Sequence, residues 1–245
     1  FTQQLAQRCA DKGVQFLYGH DVLRLERHGN AINSVAVRAN HPGAAGQKDQ
    51  ILQGDAIVVA CGSYSAPLLR SVGVDLPIYP GKGYSATFPI LRPDAAPTVS
   101  ALDDGRKIAI SRLGNQLRVA GTIELGGFDM ALDTPVAKAR CHMLSRRIEE
   151  LFPGVCDTRT DEQGGNPQYW TGLRPAPPTN IPFIGRTPLR GLWVNTGHGT
   201  LGWTHGAGSG LALAELIADQ RPGMDFGFYG FDRAPKGTRL QPARA

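Results

Sequence analysis

One stretch restricts the fold of this chain more than any other. Gly191-Leu192-Trp193-Val194-Asn195-Thr196 reads as a strand, Gly197-His198-Gly199-Thr200-Leu201-Gly202 as a glycine-rich turn, and a helix carrying Leu211, Leu213, Leu216 and Ile217 follows. A strand handed through glycines to a helix is the unit of α/β layering. The turn has the form GxGxxG, yet a dinucleotide-binding turn opens a βαβ unit of about 30 residues and needs a second strand ending in an acidic residue. Here Pro222-Gly223 breaks the chain, and the tail from Met224 is too short and too rich in Gly and Pro for that half. What remains is a helix N-terminus with exposed N–H groups, expected to point at an electron-rich group other than dinucleotide phosphates.

A second strand-to-helix turn lies upstream. Asp55-Ala56-Ile57-Val58-Val59-Ala60 reads as a buried parallel strand that ends at Cys61-Gly62, and Gly62-Ser63-Tyr64-Ser65 opens a helix through Leu68 and Leu69. A small residue and Gly at such a break let a ligand approach the backbone closely, and an ordinary connection has the same form. Ahead of it, Leu5, Ala6 and Cys9 mark one face of a helix that Gly13 stops. Val14 to Leu17 and Val22 to Leu25 are predicted strands, and Gly29-Asn30 turns the chain into another over Ile32 to Val37. A polar loop from Asn40 to Gln50 leads on to Ile51-Leu52.

Between Pro77 and Ala101 five prolines exclude helix and favour extended backbone, so a domain boundary is expected near here. Lys107 to Ser111, Gln116 to Gly121 and Thr122-Ile123-Glu124 predict an antiparallel meander around the Gly114-Asn115 turn. Thr134-Pro135 starts a helix whose apolar stripe is read as Val136, Met143, Leu144, Ile148, Leu151 and Phe152, ended by Pro153-Gly154. Strands followed by an amphipathic helix predict a small α+β domain that covers something.

Arg174 stands in Trp170-Thr171-Gly172-Leu173-Arg174-Pro175, with Pro177, Pro178 and Pro182 beyond. A guanidinium on a braced, extended backbone is a ready partner for a carboxylate, either a ligand's or that of an acidic neighbour in a structural ion pair. The rest of the composition mostly excludes. A net charge of +5, from 26 basic and 21 acidic residues, is scattered without a basic face, which argues against a nucleic-acid partner. Four cysteines without CxxC spacing or a nearby His pair predict reduced thiols and no metal site. No apolar run reaches the roughly 20 residues of a membrane-spanning helix, and no export signal is visible.

Together these segments resemble the FAD-dependent D-amino-acid dehydrogenases of bacteria, within the wider group that holds glycine oxidase and D-amino-acid oxidase. The likeness runs through the Gly13-Val14 strand, Asp55 to Ser65, Gly81-Lys82-Gly83-Tyr84-Ser85, Val119 to Glu124, Trp170 to Gly185, and Gly197 to Trp203. It implies an α/β plus α+β fold: a doubly wound, glutathione-reductase-like FAD-binding domain, incomplete at its N-terminus, with an antiparallel-sheet substrate domain. Residues 1–80 would be the first part of the FAD-binding domain, 81–170 the substrate domain, 171–224 the return, and 225–245 a tail. The family's own GxGxxG, with its acidic ribose ligand, has no counterpart here, so the chain resembles the C-terminal part of the enzyme. Residues 1–245 expressed alone are accordingly expected to hold little FAD and to lack dehydrogenase activity.

The resemblance also implies roles. Arg174 would bind the substrate carboxylate, with Tyr84, Glu124 and His198 as further substrate contacts; Tyr84 as a core phenol and Glu124 as a strand-surface carboxylate are the alternatives. Val22, Cys61 and Gly62, and the run Gly197, His198, Gly199, Thr200, Leu201, Gly202, Trp203 and Thr204, would contact FAD. The implied reaction converts a D-amino acid such as D-alanine to a 2-oxo acid and ammonia and passes electrons to a quinone or respiratory acceptor. An oxygen-using oxidase and an inactive truncated fragment are the rivals. The implied location is the cytoplasm, free or peripheral on the inner face of the membrane.

Overall fold

The computed structural model describes residues 1–43 and 46–223; the expected tail at 225–245 lies outside them. Helix α1 (Thr2–Ala10) ends just before Gly13, whose φ of +90° is open to glycine and costly for other residues. Val14 to Leu17 form no strand, contrary to expectation. Their extended-chain propensity finds no ladder partner among the described residues, and Val14, Phe16 and Leu17 lie exposed.

Strands β1 (His20–His28), β2 (Ala31–Ala39) and β3 (Gln50–Gln53) form an antiparallel sheet with β2 in the middle. Strand β4 (Ile57–Val59) leads through a 3-10 turn at Gly62–Tyr64 into helix α2 (Ser65–Arg70). The proline-broken segment then yields the longest strand, β5 (Tyr79–Pro89), followed by β6 (Ala101–Asp103), β7 (Ile108–Leu113) and β8 (Gln116–Glu124). After helix α3 (Pro135–Leu151) come β9 (Gln168–Ala176), β10 (Phe183–Arg186), β11 (Leu192–Thr196) and helix α4 (Gly202–Ile217).

Two further sheets organise these elements. A five-stranded sheet in the order β6-β7-β8-β5-β9 is antiparallel throughout. Its Tyr84, Ala86, Phe88, Ile110, Leu117 and Val119 pack on Ala137, Cys141, Leu144 and Ile148 of α3. Thr134 caps α3 by accepting the Ala137 N–H at 3.2 Å. The buried row of α3 corrects the expected stripe, because Val136 and Leu151 are exposed. At about 100° per residue Val136 falls more than a quarter turn from the Ala137–Cys141–Leu144–Ile148 row, and Leu151 lies in the last turn.

The smaller sheet, β10-β11-β4, joins β11 antiparallel to β10 and parallel to β4. Leu192 and Val194 enter one core with Val59, Leu69 and Leu76, while Trp193 meets Ile184 and Leu213 of α4 on the other face. Strand β11 is thus buried on both faces. Strand β4 is parallel as expected but shorter and only partly buried: Val59 points into the core while Val58, on the opposite face, is exposed.

Candidate functional site

Parallel pairing of β4 with β11 sets their carboxyl ends side by side, so the two strand-end turns become neighbours. Thr196 Oγ1 donates to the Gly62 carbonyl at 2.9 Å and ties one turn to the other. Gly62, Gly197 and Gly199 all have φ between +53° and +78°. At Gly197 space is short as well, since a Cβ there would lie 3.1 Å from the Phe183 ring. Residues Gly199–Leu201 form a 3-10 turn, and α4 starts at Gly202 with no side chain capping it and no acidic residue in its first turn. The first N–H groups of such a helix point outward with partial positive charge. Leu201, Trp203 and Thr204 are exposed beside them, and the Trp203 ring meets Phe1 edge-on.

Val22 and Cys61, far apart in sequence, line one cleft of about 560 Å³ together with Leu23, Tyr64, Pro67 and Leu68. Gly62 bends the backbone so that Tyr64 enters this wall, where its ring tilts against Phe128 with centroids 5.0 Å apart. Neither aromatic stood out in the sequence, since each lies in a turn without periodic neighbours.

Arg174 is set by β9, which pairs antiparallel with β5 so that Gly81 faces Arg174 and Gly83 faces Gly172. The Arg174 side chain lies over Gly83, and a Cβ at Gly83 would collide with all three outer guanidinium atoms. Nη1 donates to the Thr122 carbonyl at 3.1 Å. Among the described residues no carboxylate pairs with Arg174, so the structural ion pair is not found, and burial pushes its pKa down from the ordinary guanidinium value. Ser63 Oγ donates to the Leu173 carbonyl at 3.4 Å, and the Gly199–Leu201 turn also packs on β9. Both strand-end turns therefore pack on the strand that carries Arg174.

Tyr84 and Glu124 do not join them. Neighbouring residues of a strand point to opposite faces, and Tyr84 lies on the α3 side with its ring in the core, 1% exposed. Its hydroxyl donates to Glu124 Oε2, and Arg140 Nε of α3 stands 3.7 Å from the same carboxylate. Burial and the adjoining Glu124 push the phenol pKa well above its usual value. His198 caps the turn that precedes α4, and its Nε2 is buried without a partner. Burial, then the nearby His205, push its pKa down from the ordinary imidazole value. Missed by sequence reading were Gly83, Gly172 and the Thr122 carbonyl. Glycines at alternate positions of long strands were the available signal, since they mark places where another group approaches the backbone.

A family model described as "FAD dependent oxidoreductase" (DAO) matches residues 1–216. The chain belongs to the FAD-dependent oxidoreductase (DAO) family. The chain is 48% identical over 228 residues to a D-amino acid dehydrogenase of Dechloromonas aromatica (strain RCB), covering 93% of the chain and 51% of the relative. It is 44% identical over 225 residues to the D-amino acid dehydrogenase of Xanthobacter autotrophicus, covering 92% and 49%. The chain spans about half the length of the curated relatives it matches. Among solved structures, glycine oxidase from Geobacillus kaustophilus superposes with a TM-score of 0.73 at 22% identity, over 94% of this chain and 56% of that one. L-Proline dehydrogenase from P. horikoshii gives 0.72 at 18% identity, over 94% and 57%. These two likenesses speak for the fold, with its mixed helices and antiparallel sheets.

The family's FAD fits what the site offers. The cleft at Val22 and Cys61, the two turns at parallel strand ends and the uncapped helix N-terminus offer a ligand surface, and beside them the buried atoms His198 Nε2 and Asn195 Oδ1 have no hydrogen-bond partner among the described residues. No helix among the described residues is long and apolar enough to cross a membrane.

Proposed function

We propose that this chain supplies the substrate-carboxylate site and the flavin-facing turns of an enzyme that oxidises D-amino acids to imino acids, which water converts to 2-oxo acids and ammonia. The observation that carries the reading is Arg174: a half-buried guanidinium with no carboxylate partner among the described residues, seated over Gly83 on the strand against which both strand-end turns pack. The names of the two relatives support the substrate class. Bound FAD would supply the two-electron acceptor for the hydride that leaves the substrate Cα. Arg174 holds the carboxylate and so fixes where Cα lies. The N–H groups at the start of α4 stabilise negative charge that develops in front of them, already oriented before reaction. An amine that arrives neutral requires no side-chain base.

Val22, Cys61 and Gly62 then belong to the cofactor cleft, and Gly197 to Thr204 to the ring-facing turn. Residues 1–80 and 171–224 are read as parts of a doubly wound flavin domain around the β4–β11 pair, and 81–170 as the substrate domain. Because β9 spans residues 168–176 within the antiparallel sheet, Arg174 stands at their junction. A quinone or respiratory acceptor, met at the inner membrane face, completes the proposed cycle.

Two measurements bear on this reading. The holoenzyme should release ammonia from D-alanine but not from L-alanine, and in stopped flow its reduced form should reoxidise with a quinone far faster than with oxygen. Faster reoxidation by oxygen would make it an oxidase. Gly199→Val should weaken FAD retention about tenfold with the fold intact. A β-branched residue at φ +53° strains the turn by roughly 1–3 kcal/mol, whereas no atom within 4 Å would clash with it. Flavin fluorescence on release reads the change, and unaltered retention would remove this turn from the cofactor site.

A further inference from the structure

The ladder between β5 and β8 slips at one point. Lys82 faces Glu124 and Tyr84 faces Gly121, so Thr122 and Ile123 bulge opposite the single residue Gly83. Thr122 takes φ +59°, a left-handed conformation rare for a β-branched residue, and its Oγ1 is buried without a partner. Nothing in the Thr122 side chain compensates for this backbone. Its carbonyl is the acceptor that orients Arg174 Nη1 above Gly83.

What holds the bulge lies on the other face of the sheet. Tyr84 stands on β5 at one side of the slip and Glu124 on β8 at the other, and the phenol donates to the carboxylate across it. Arg140 secures the same carboxylate from α3. Tyr84 is buried in the core cluster that holds Ala86, Cys141 and Leu144, so the staple is anchored in the packed interior of this layer. The raised pKa of the phenol keeps it protonated as the donor.

We infer that Glu124, with Tyr84, is a positioning residue for the substrate carboxylate, acting through the Thr122 bulge on the guanidinium of Arg174 without touching the substrate. The inference rests on the reading of Arg174 as the carboxylate site. It explains why a buried phenol and a half-buried carboxylate are paired on the face of the sheet opposite the binding residue.

The test uses the flavin-loaded holoenzyme, D-alanine kinetics, and titration with propionate, a carboxylate that cannot be oxidised, followed by the flavin absorbance. Glu124→Ala should raise KM and the propionate Kd about tenfold with kcat within twofold. Glu124→Gln, which still accepts from Tyr84, should recover most of the affinity. Tyr84→Phe removes only the hydroxyl and should match Glu124→Ala, which guards against a variant that merely fails to fold. In an Arg174→Ala background Glu124→Ala should add nothing further to the propionate Kd. Effects of Arg174 and Glu124 that multiply independently, or a fall in kcat with KM unchanged, overturn the positioning role while leaving Arg174 in place. If Arg174→Ala itself leaves KM and the propionate Kd unchanged, it is the carboxylate reading that fails.

Discussion

Arg174→Ala is expected to lower kcat/KM for D-alanine about 10²–10³-fold, mainly through KM. Truncating one partner of a desolvated, hydrogen-bonded charge pair costs about 2–5 kcal/mol, and about 1.4 kcal/mol is tenfold. The structure supports a figure in the middle of that range, about 3–4 kcal/mol. The guanidinium is half-buried, it donates to the neutral Thr122 carbonyl, and no carboxylate among the described residues competes for it. Arg174→Lys should rescue little, because an ammonium on a flexible stem cannot both hold the Thr122 carbonyl and present a planar fork to a carboxylate. Steady-state kinetics with D-alanine across the three proteins decide the matter, and an unchanged KM in the Ala variant removes Arg174 from the site.

Gly83→Ala should reproduce much of that loss, about 10–100-fold in kcat/KM, while leaving Tm within a few degrees of the parent. The added methyl would occupy the place of the guanidinium, and what must move is the far end of a flexible side chain, not backbone. The fold has no reason to suffer, since Gly83 takes no left-handed φ and its strand neighbours stay paired on both sides. The substrate site does, because the guanidinium loses its seat beside the Thr122 carbonyl. Wild-type kinetics in Gly83→Ala would mean that Arg174 binds nothing in this position. A collapsed Tm would mean that the glycine serves packing alone.

Much of the local architecture was legible in the residues. The Gly29-Asn30 and Gly114-Asn115 hairpins, the Thr134-Pro135 helix start and the two strand-to-helix turns at Cys61-Gly62 and Gly197–Gly202 all form where turn chemistry and apolar period predict them. These signals are short-ranged: a cap, a positive φ or a helical repeat is written within a few neighbouring residues. Membership of the FAD-dependent oxidoreductase family was legible for the same reason, through motifs that each lie in one contiguous segment.

Tertiary structure decided the rest. No local pattern says that β4 and β11 are neighbours, yet only that pairing brings Gly62 within reach of Thr196. The proline-broken segment at Tyr79–Pro89 reads locally as extended chain and becomes the strand between β8 and β9. Val14 to Leu17 carries a strand's composition and stays unpaired among the described residues. Tyr84 and Glu124 show the limit most plainly. The family resemblance made them candidates for substrate contact, and the pleat turns both to α3. Side chains alternate with period two, so one step of register decides which face a residue serves, and register is settled by packing between segments far apart in the chain. The residue types of the site were thus readable in the sequence, whereas which of them share a face was left to the pairing of β5 with β8 and β9.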